Sequence, residues 1–454
     1  MTVTYEHSSE RRLSVSRTAI IAVLLFLFAL AVRLLVPYAE WNLDGNHILQ
    51  TVIYYTLQGV QAGGVKLRYW YQDNLYQWWL EAFYPVREFA NPLTTVSFEQ
   101  ALLVASLLPK ILGALNVSLL FCLSISMGAD RKTSILMSLA YAVTAQHVVL
   151  SSIVERQIIS QTLLLISFLL VAAAPRTLYR RYATYGLALV VNVFGVVCYS
   201  PPIIFLPFLL AFMISYEVQK YADARCRLNC CLAILGLFLL ADLIVLIATG
   251  ASVLSVLKQA IENFVLYADP GSQDEFSKID NSLIVANVFW LFGHLFQWLP
   301  YYRSERLPEV SFWAVALSAI VVAYCLYSAT ASLLVFRRYI NSGFGDFFGT
   351  ASARLGILSA AFLTGVAFTL VVRHGNQTEF YIMPYTFIVP IVAERLSRQW
   401  TGGGKTTVAL PVSVAFVFLT LLNHPYIGKS VQERNVYLET NAETILPWLL
   451  LKPE

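Results

Sequence analysis

Two carboxylates, Glu40 and Asp44, stand in an acidic turn that follows directly on an apolar run from Thr18 to Pro37. The run is about long enough to cross a bilayer, so it delivers both acids to the membrane surface, where a lipid-borne substrate would present its head group. A carboxylate held there among apolar and aromatic groups can have its affinity for protons raised, which suits it to act as a general base. Asp44 is the better placed of the two for that role. It also stands where an aspartate would cap a helix beginning near Gly45, and both roles can hold at once. Glu40 is a second candidate acid, or an ordinary interface charge paired with an arginine. The chemistry that complements such a base is cationic. Arg156 and Arg373 carry guanidinium forks that match phosphate oxygens, and Lys110 would add a further positive charge. The plain alternative for Arg373 and Lys110 is snorkelling towards water, and for Glu155-Arg156 a solvated pair at a turn. Glu155 would orient the acceptor or its neighbouring arginine. His374 and Tyr381, flanking a short loop after Arg373, and Tyr76, in an aromatic stretch, complete the candidate substrate contacts.

These side chains need a scaffold, and the composition says which kind. Of 454 residues, 58% are hydrophobic and 13% charged, with a mean hydropathy of +0.64. A soluble chain carries about 25% charged residues. Apolar stretches of helical length recur from end to end, so the sequence reads as an all-α polytopic membrane protein forming a single transmembrane domain over 1–454. Candidate spans are 18–37, 102–127, 133–150, 158–174, 183–199, 201–216, 229–249, 311–336, 355–372, 380–396 and 407–423, about eleven in all. The first lacks a small-residue cleavage site and reads as a retained span rather than a signal peptide. The stretch 282–300 either crosses the membrane or lies in it. Within the spans Asp242 is the main charge, expected near the inner third of its helix.

Sidedness follows from the basic clusters. If 282–300 does not cross, Arg11/Arg12/Arg17, Arg131/Lys132, Arg176/Arg180/Arg181, Lys220/Arg225/Arg227, Arg337/Arg338/Arg354 and Arg395/Arg398/Lys405 all fall inside. The N-terminus is then inside and the C-terminus outside, and the two large outer segments are 38–101 and 250–310. In the first, Ile48, Leu49, Val52, Ile53, Leu57 and Val60 recur at helical spacing. Tyr69 to Tyr84 is dense in tyrosine and tryptophan, which settle at membrane interfaces. Two juxtamembrane helices lying in the interface plane are expected. The aromatics would anchor them, or stack on sugar faces.

The remaining motifs exclude other classes. The six cysteines show neither a disulfide framework nor zinc-ligand spacing. Gly402-Gly403-Gly404-Lys405 lacks the strand that a phosphate-cradling loop requires. The net charge of +4 does not point to nucleic acid.

An ordered series of motifs resembles the GT-C superfamily of integral-membrane glycosyltransferases, which includes protein O-mannosyltransferases and lipid A aminoarabinose transferases. A span ends near Arg33, and an acid (Asp44) and a glycine (Gly59) follow. Asp73-Asn74-Leu75-Tyr76-Gln77-Trp78-Trp79 and Leu108-Pro109-Lys110-Ile111-Leu112-Gly113 come next. Ser151-Ser152-Ile153-Val154-Glu155-Arg156 then stands at an outer turn, and Glu379-Phe380-Tyr381-Ile382-Met383-Pro384 opens a span running to Glu394-Arg395. The order, spread over residues 18 to 400, carries the resemblance. Two features depart from the common pattern: the first-loop acids are separated by three residues, and Asp73-Asn74 stands where many members have a proline.

The resemblance implies inverting transfer of a sugar from a polyprenyl-phosphate donor, on the outer or lumenal face, to a glycan, lipid or protein acceptor. It implies a bacterial or archaeal plasma membrane. Asp44, with Glu40, would serve as the catalytic acid pair. Arg156, Arg373 and Lys110 would hold the donor phosphate, and Glu155, Tyr381, His374 and Tyr76 would contact substrate. No cofactor is expected. Some members use a divalent ion, but no second carboxylate adjoins Asp44. Two rival readings stay open: a lipid or solute transporter, and a non-catalytic subunit that keeps the fold. A transporter would be expected to show paired halves with matching broken helices. No such internal repeat is visible, and Pro201, Pro202 and Pro207 break one region only.

Overall fold

The computed structural model describes residues 3–35, 75–76, 78–79, 82, 98–152, 154, 157–175, 177–218, 223–258, 261, 312–340, 350–372 and 382–401. Among these residues the regular structure is helical. The helices are α1 (Val3–Leu34), α2 (Phe98–Ser126), α3 (Arg131–Ala142), α4 (Ala145–Leu150), α5 (Gln157–Ala172) and α6 (Leu178–Cys198). A 3-10 turn (Pro201–Phe205) leads into α7 (Leu206–Val218), followed by α8 (Ala224–Thr249), α9 (Phe312–Ile340), α10 (Ala351–Val372) and α11 (Ile382–Thr401). Six stretches of the described residues are long and apolar enough to cross a membrane: Arg17–Leu34, Val104–Ser126, Leu178–Cys198, Pro201–Val218, Arg225–Thr249 and Ala351–Thr369. The chain is a multi-pass α-helical membrane protein. The expected span 407–423, the stretch 282–300 and the first-loop interfacial helices lie outside the described residues, apart from a few positions between 75 and 82.

One expected span is not a single helix. The stretch 133–150 divides into α3 and α4 at Val143–Thr144. No proline or glycine marks the break. Thr144 turns its amide back to Tyr141 O at 3.2 Å and its hydroxyl to Ala140 O at 2.9 Å. A helix end leaves carbonyls without intrahelical partners, and the carbonyl of Ala142 is used by a residue from another helix, described below.

The turn joining α2 to α3 is tightly specified. Gly128 adopts φ +96°, and Asp130 caps α3 by accepting from the amides of Lys132 at 2.8 Å and Thr133 at 3.0 Å. The Thr133 hydroxyl also donates to the Asp130 carboxylate. The Asp130 amide donates to Ser397 Oγ at 2.9 Å, which pins this turn to α11. Burial pushes the Asp130 carboxyl up, but the bonds from Thr133, Ser397 and Lys132 together outweigh it and hold the group below its usual range.

The core lies between α2, α3, α5, α7, α10 and α11. Phe168, Phe205, Phe212 and Phe387 form its aromatic centre, with ring centroids 5.0 to 5.3 Å apart in successive pairs. Gly365 makes that centre accessible to α10: a Cβ there would stand 2.8 Å from Pro384 Cγ and 2.9 Å from Phe205 Cζ. By contrast α8 exposes Leu228, Leu232, Leu235, Leu239 and Leu243, as a helix facing lipid would.

A buried ion pair joins α6 to α7. Arg181 on α6 meets Glu217 on α7, with Nε 2.6 Å from Oε1 and Nη2 donating to Oε2 at 3.0 Å. Tyr185 donates to the same carboxylate at 3.0 Å. The sequence groups Arg181 with loop arginines, yet it is buried. Asp242 lies in the C-terminal third of α8, and its carboxylate accepts the amide of Val253 at 2.8 Å.

Candidate functional site

α1 is a lipid-facing helix with one inward stripe. Leu25, Ala29 and Arg33, four residues apart, are buried, and the carbonyl of Ala22 accepts from Ser118 Oγ on α2 at 2.6 Å. Spacing of i, i+4, i+8 keeps such residues on one face. The stripe ends in a charge: Arg33 is 0% exposed. A buried guanidinium without hydrogen-bond partners is costly, so it demands acceptors.

It finds them on three helices. Arg33 Nη1 donates to Ala29 O at 2.8 Å and to Ala142 O at 3.3 Å, the carbonyl freed by the end of α3. Arg33 Nη2 lies 2.6 Å from His147 Nδ1 on α4. A guanidinium only donates, so Nδ1 is the acceptor and the imidazole proton sits on Nε2. The ring of Tyr141 covers this imidazole at 4.2 Å between centroids. A polar chain continues behind it: Asn116 Nδ2 donates to Gln161 Oε1 at 2.8 Å, and Gln161 Nε2 donates to Tyr141 Oη at 2.6 Å. Thus α1, α2, α3, α4 and α5 all contribute to one buried polar cluster.

Gly113 permits the approach. A Cβ at this position would stand 2.4 Å from Ser151 Cβ and 2.9 Å from Arg33 Nε. Ser151 in turn closes the end of α4, its hydroxyl donating to His147 O at 2.6 Å. The cluster therefore sits where α1 ends, at and just beyond the middle of α2, and beside Ser151 at the end of α4.

Two of the sequence-expected site residues are described. Lys110 lies one turn before Gly113 on α2 and is 3% exposed. Its ammonium is enclosed by the protein instead of reaching solvent as a snorkelling lysine does. Tyr76 is fully buried among Ala105, Val154 and Ile159, with Leu108 and Leu112 beside them. That position braces the aromatic stretch against α2 and the start of α5. Trp79 Nε1 adds a bond to Val104 O at 2.7 Å. Asp44, Glu40, Glu155, Arg156, Arg373, His374 and Tyr381 lie outside the described residues. No group of three or more His, Cys, Asp or Glu able to hold a metal occurs among the described residues.

Sequence reasoning passed over Arg33, His147, Asn116 and Gln161 as functional positions. The available signal was the presence of arginine and histidine within apolar runs, which marks a functional candidate by default. A cleft lies on the other side of Tyr141, lined by Met137, Thr144, Cys325, Tyr385, Ile388 and Val392.

No protein-family model matches the chain, and no curated protein matches it. Among solved structures, its backbone is similar to that of the Archaeoglobus fulgidus oligosaccharyltransferase in the apo form. The TM-score is 0.49 at 12% identity, over 92% of this chain and 56% of that one. Archaeal oligosaccharyltransferase AglB from Archaeoglobus fulgidus, in complex with an inhibitory peptide and a dolichol-phosphate, gives 0.48 at 13% identity over 92% and 56%. ArnT from Cupriavidus metallidurans in the apo state gives 0.30 at 12% identity over 86% and 78%. The chain spans a little over half the length of the oligosaccharyltransferases. At TM-scores below 0.5 this likeness carries no inference about reaction or substrate.

Proposed function

We propose that the protein is a membrane glycosyltransferase of the GT-C kind, moving a sugar from a polyprenyl-phosphate donor to an acceptor at the outer face with inversion. The observation that carries this reading is the convergence of the motif-bearing segments. The end of the span that precedes Asp44, Gly113 of the Leu108–Gly113 motif on α2 and Ser151, the first residue of the Ser151–Arg156 motif, meet at one buried polar cluster. Those segments are far apart in sequence, and each belongs to the ordered series that resembles the superfamily.

Asp44 takes the proton from the acceptor hydroxyl as that oxygen attacks the anomeric carbon; the bond to the phosphate oxygen breaks and the lipid phosphate departs with its electrons. Arg156 and Arg373 stabilise the departing charge, and Lys110 adds to the positive potential at that end of the bundle. Glu155 orients the acceptor or Arg156, and Glu40 supports Asp44. His374 and Tyr381 contact substrate. The buried position of Tyr76 favours a supporting role for it over sugar stacking. The N-terminus is inside and the C-terminus outside.

Transfer from a radiolabelled polyprenyl-phosphate sugar, measured in proteoliposomes beside solute and lipid flux, tests the proposal. Transfer without flux supports it. Flux without transfer supports the transporter alternative and overturns it.

A further inference from the structure

Arg33 stands eleven positions before Asp44, and its guanidinium engages its own helix and two others. It binds its own helix at Ala29 O, the end of α3 at Ala142 O and α4 at His147 Nδ1. Three features show that this junction is built rather than incidental. The break between α3 and α4 frees the Ala142 carbonyl to be an acceptor. Gly113 provides the only side chain size that fits between Ser151 and Arg33 Nε, since a methyl there would stand 2.4 Å from Ser151 Cβ. Tyr141 holds the imidazole in place by ring contact and is itself held by Gln161.

The rest of α1 packs on α2 along one side, through Leu25, Ala29 and the Ser118–Ala22 hydrogen bond, and leaves its other side uncovered. Most of its large apolar side chains, among them Leu24, Leu27 and Leu34, are exposed. The Ser118 bond holds α1 at Ala22, about three turns before Arg33, so the orientation of the last turn depends on a directional contact nearer its end, and apolar packing is not directional. The guanidinium fork supplies direction, because its two terminal nitrogens face acceptors on different helices.

We propose that Arg33 is a positioning residue for the transfer step: by engaging Ala142 O and His147 together, it fixes the height and rotation at which α1 hands the chain to the loop bearing Glu40 and Asp44. This rests on the glycosyltransferase reading for its consequence, but not for its geometry. Arg33 touches no reacting atom in this scheme. It acts through the backbone that follows it.

His147 gives the cleaner test, because its variants leave the charge of α1 unchanged. His147→Asn keeps an acceptor near the place of Nδ1, whereas His147→Leu removes it. Misplacement of a base by about 1 Å can cost on the order of 100-fold in rate. His147→Leu is expected to lower kcat by about 10- to 100-fold with KM for the donor changed less than about twofold, and His147→Asn to keep most of kcat. Arg33→Lys is expected to behave like His147→Leu, since a single ammonium nitrogen replaces the two separated nitrogens that face Ala142 O and His147 Nδ1. Wild-type kcat in His147→Leu, a loss confined to KM, or equal failure of His147→Asn and His147→Leu overturns the proposal.

A readout independent of catalysis separates this from the functional reading. Asp44→Cys, in a Cys226→Ser background that removes the exposed native thiol, is labelled in proteoliposomes with a membrane-impermeant maleimide. The labelling rate is expected to change when His147→Leu is added and to stay constant with His147→Asn. An unchanged rate in both overturns the positioning role, whereas absence of transfer by the unaltered protein overturns only the glycosyltransferase assignment.

Discussion

Arg33 and His147 are 114 positions apart in the chain, yet Nη2 of one lies 2.6 Å from Nδ1 of the other in a fully buried setting. The contact joins the end of the first span to a short helix that exists only because the third apolar stretch breaks. Removing one partner of a buried hydrogen bond leaves the other unsatisfied, at a cost of about 1–3 kcal/mol and more for a charged group. His147→Leu should therefore lower the unfolding midpoint in detergent more than Arg33→Met does, since it leaves a buried guanidinium short of an acceptor, whereas Arg33→Met strands only a neutral imidazole and a carbonyl. A double variant should cost less than the sum of the two. Additive losses would mean that the two side chains do not depend on one another.

Gly113→Ala tests the close approach of α2 to the Ser151 turn. The added methyl meets Ser151 Cβ at 2.4 Å, and overpacking of this kind costs about 1–3 kcal/mol. Adding Ser151→Gly should recover part of the loss, leaving the share due to Arg33 Nε at 2.9 Å. Thermal unfolding of the single and double variants decides it.

Most of the fold was legible as apolar length. The spans at 102–127, 183–199, 229–249 and 355–372 reappear as α2, α6, α8 and α10 with ends shifted by a few residues, because a bilayer imposes a length that the chain records directly. The α3–α4 break was not legible. It depends on Thr144 folding back and on an arginine from α1 taking the vacated carbonyl, which no local pattern announces. The candidate site was half legible. Arg33, Lys110, Gly113 and Ser151 all stand in the ordered motif series, but His147 and Gln161 gain meaning only from the register of helices that meet in space. The partner of Asp242, the amide of Val253 beyond the helix terminus, likewise has no local signal in the sequence.

Asp130 supplies a pH-dependent contribution to stability. Its carboxyl is held below the ordinary range in the folded protein by Thr133, Ser397 and Lys132 against the opposing effect of burial. A depressed folded-state value means that the contribution is present above the unfolded-state value and is lost as pH falls through the folded one. Asp130→Ala should cost about 1 kcal/mol at neutral pH, the usual worth of an N-cap. The difference in midpoint between the variant and the unaltered protein should shrink on acidification below the carboxylate range. A difference that grows there would contradict the assignment.

The Arg181–Glu217 pair should show the asymmetry of buried ion pairs. Glu217→Leu leaves a buried guanidinium and a tyrosine hydroxyl without their carboxylate, and such changes cost about 3–5 kcal/mol. The double variant Arg181→Met, Glu217→Leu replaces the pair by apolar volume and should be markedly more stable than Glu217→Leu alone. Equal loss in both would show that the pair contributes little beyond its packing.

The central claim is that the carboxylate following the first span acts as a base in glycosyl transfer. The most direct measurement is transfer of radiolabelled sugar from a polyprenyl-phosphate donor by Asp44→Asn, beside donor binding by the same purified variant. The account predicts a folded protein that binds donor as the unaltered chain does and transfers at least about 100-fold more slowly, the lower end of what loss of a general base costs. Transfer by Asp44→Asn at the unaltered rate would contradict it.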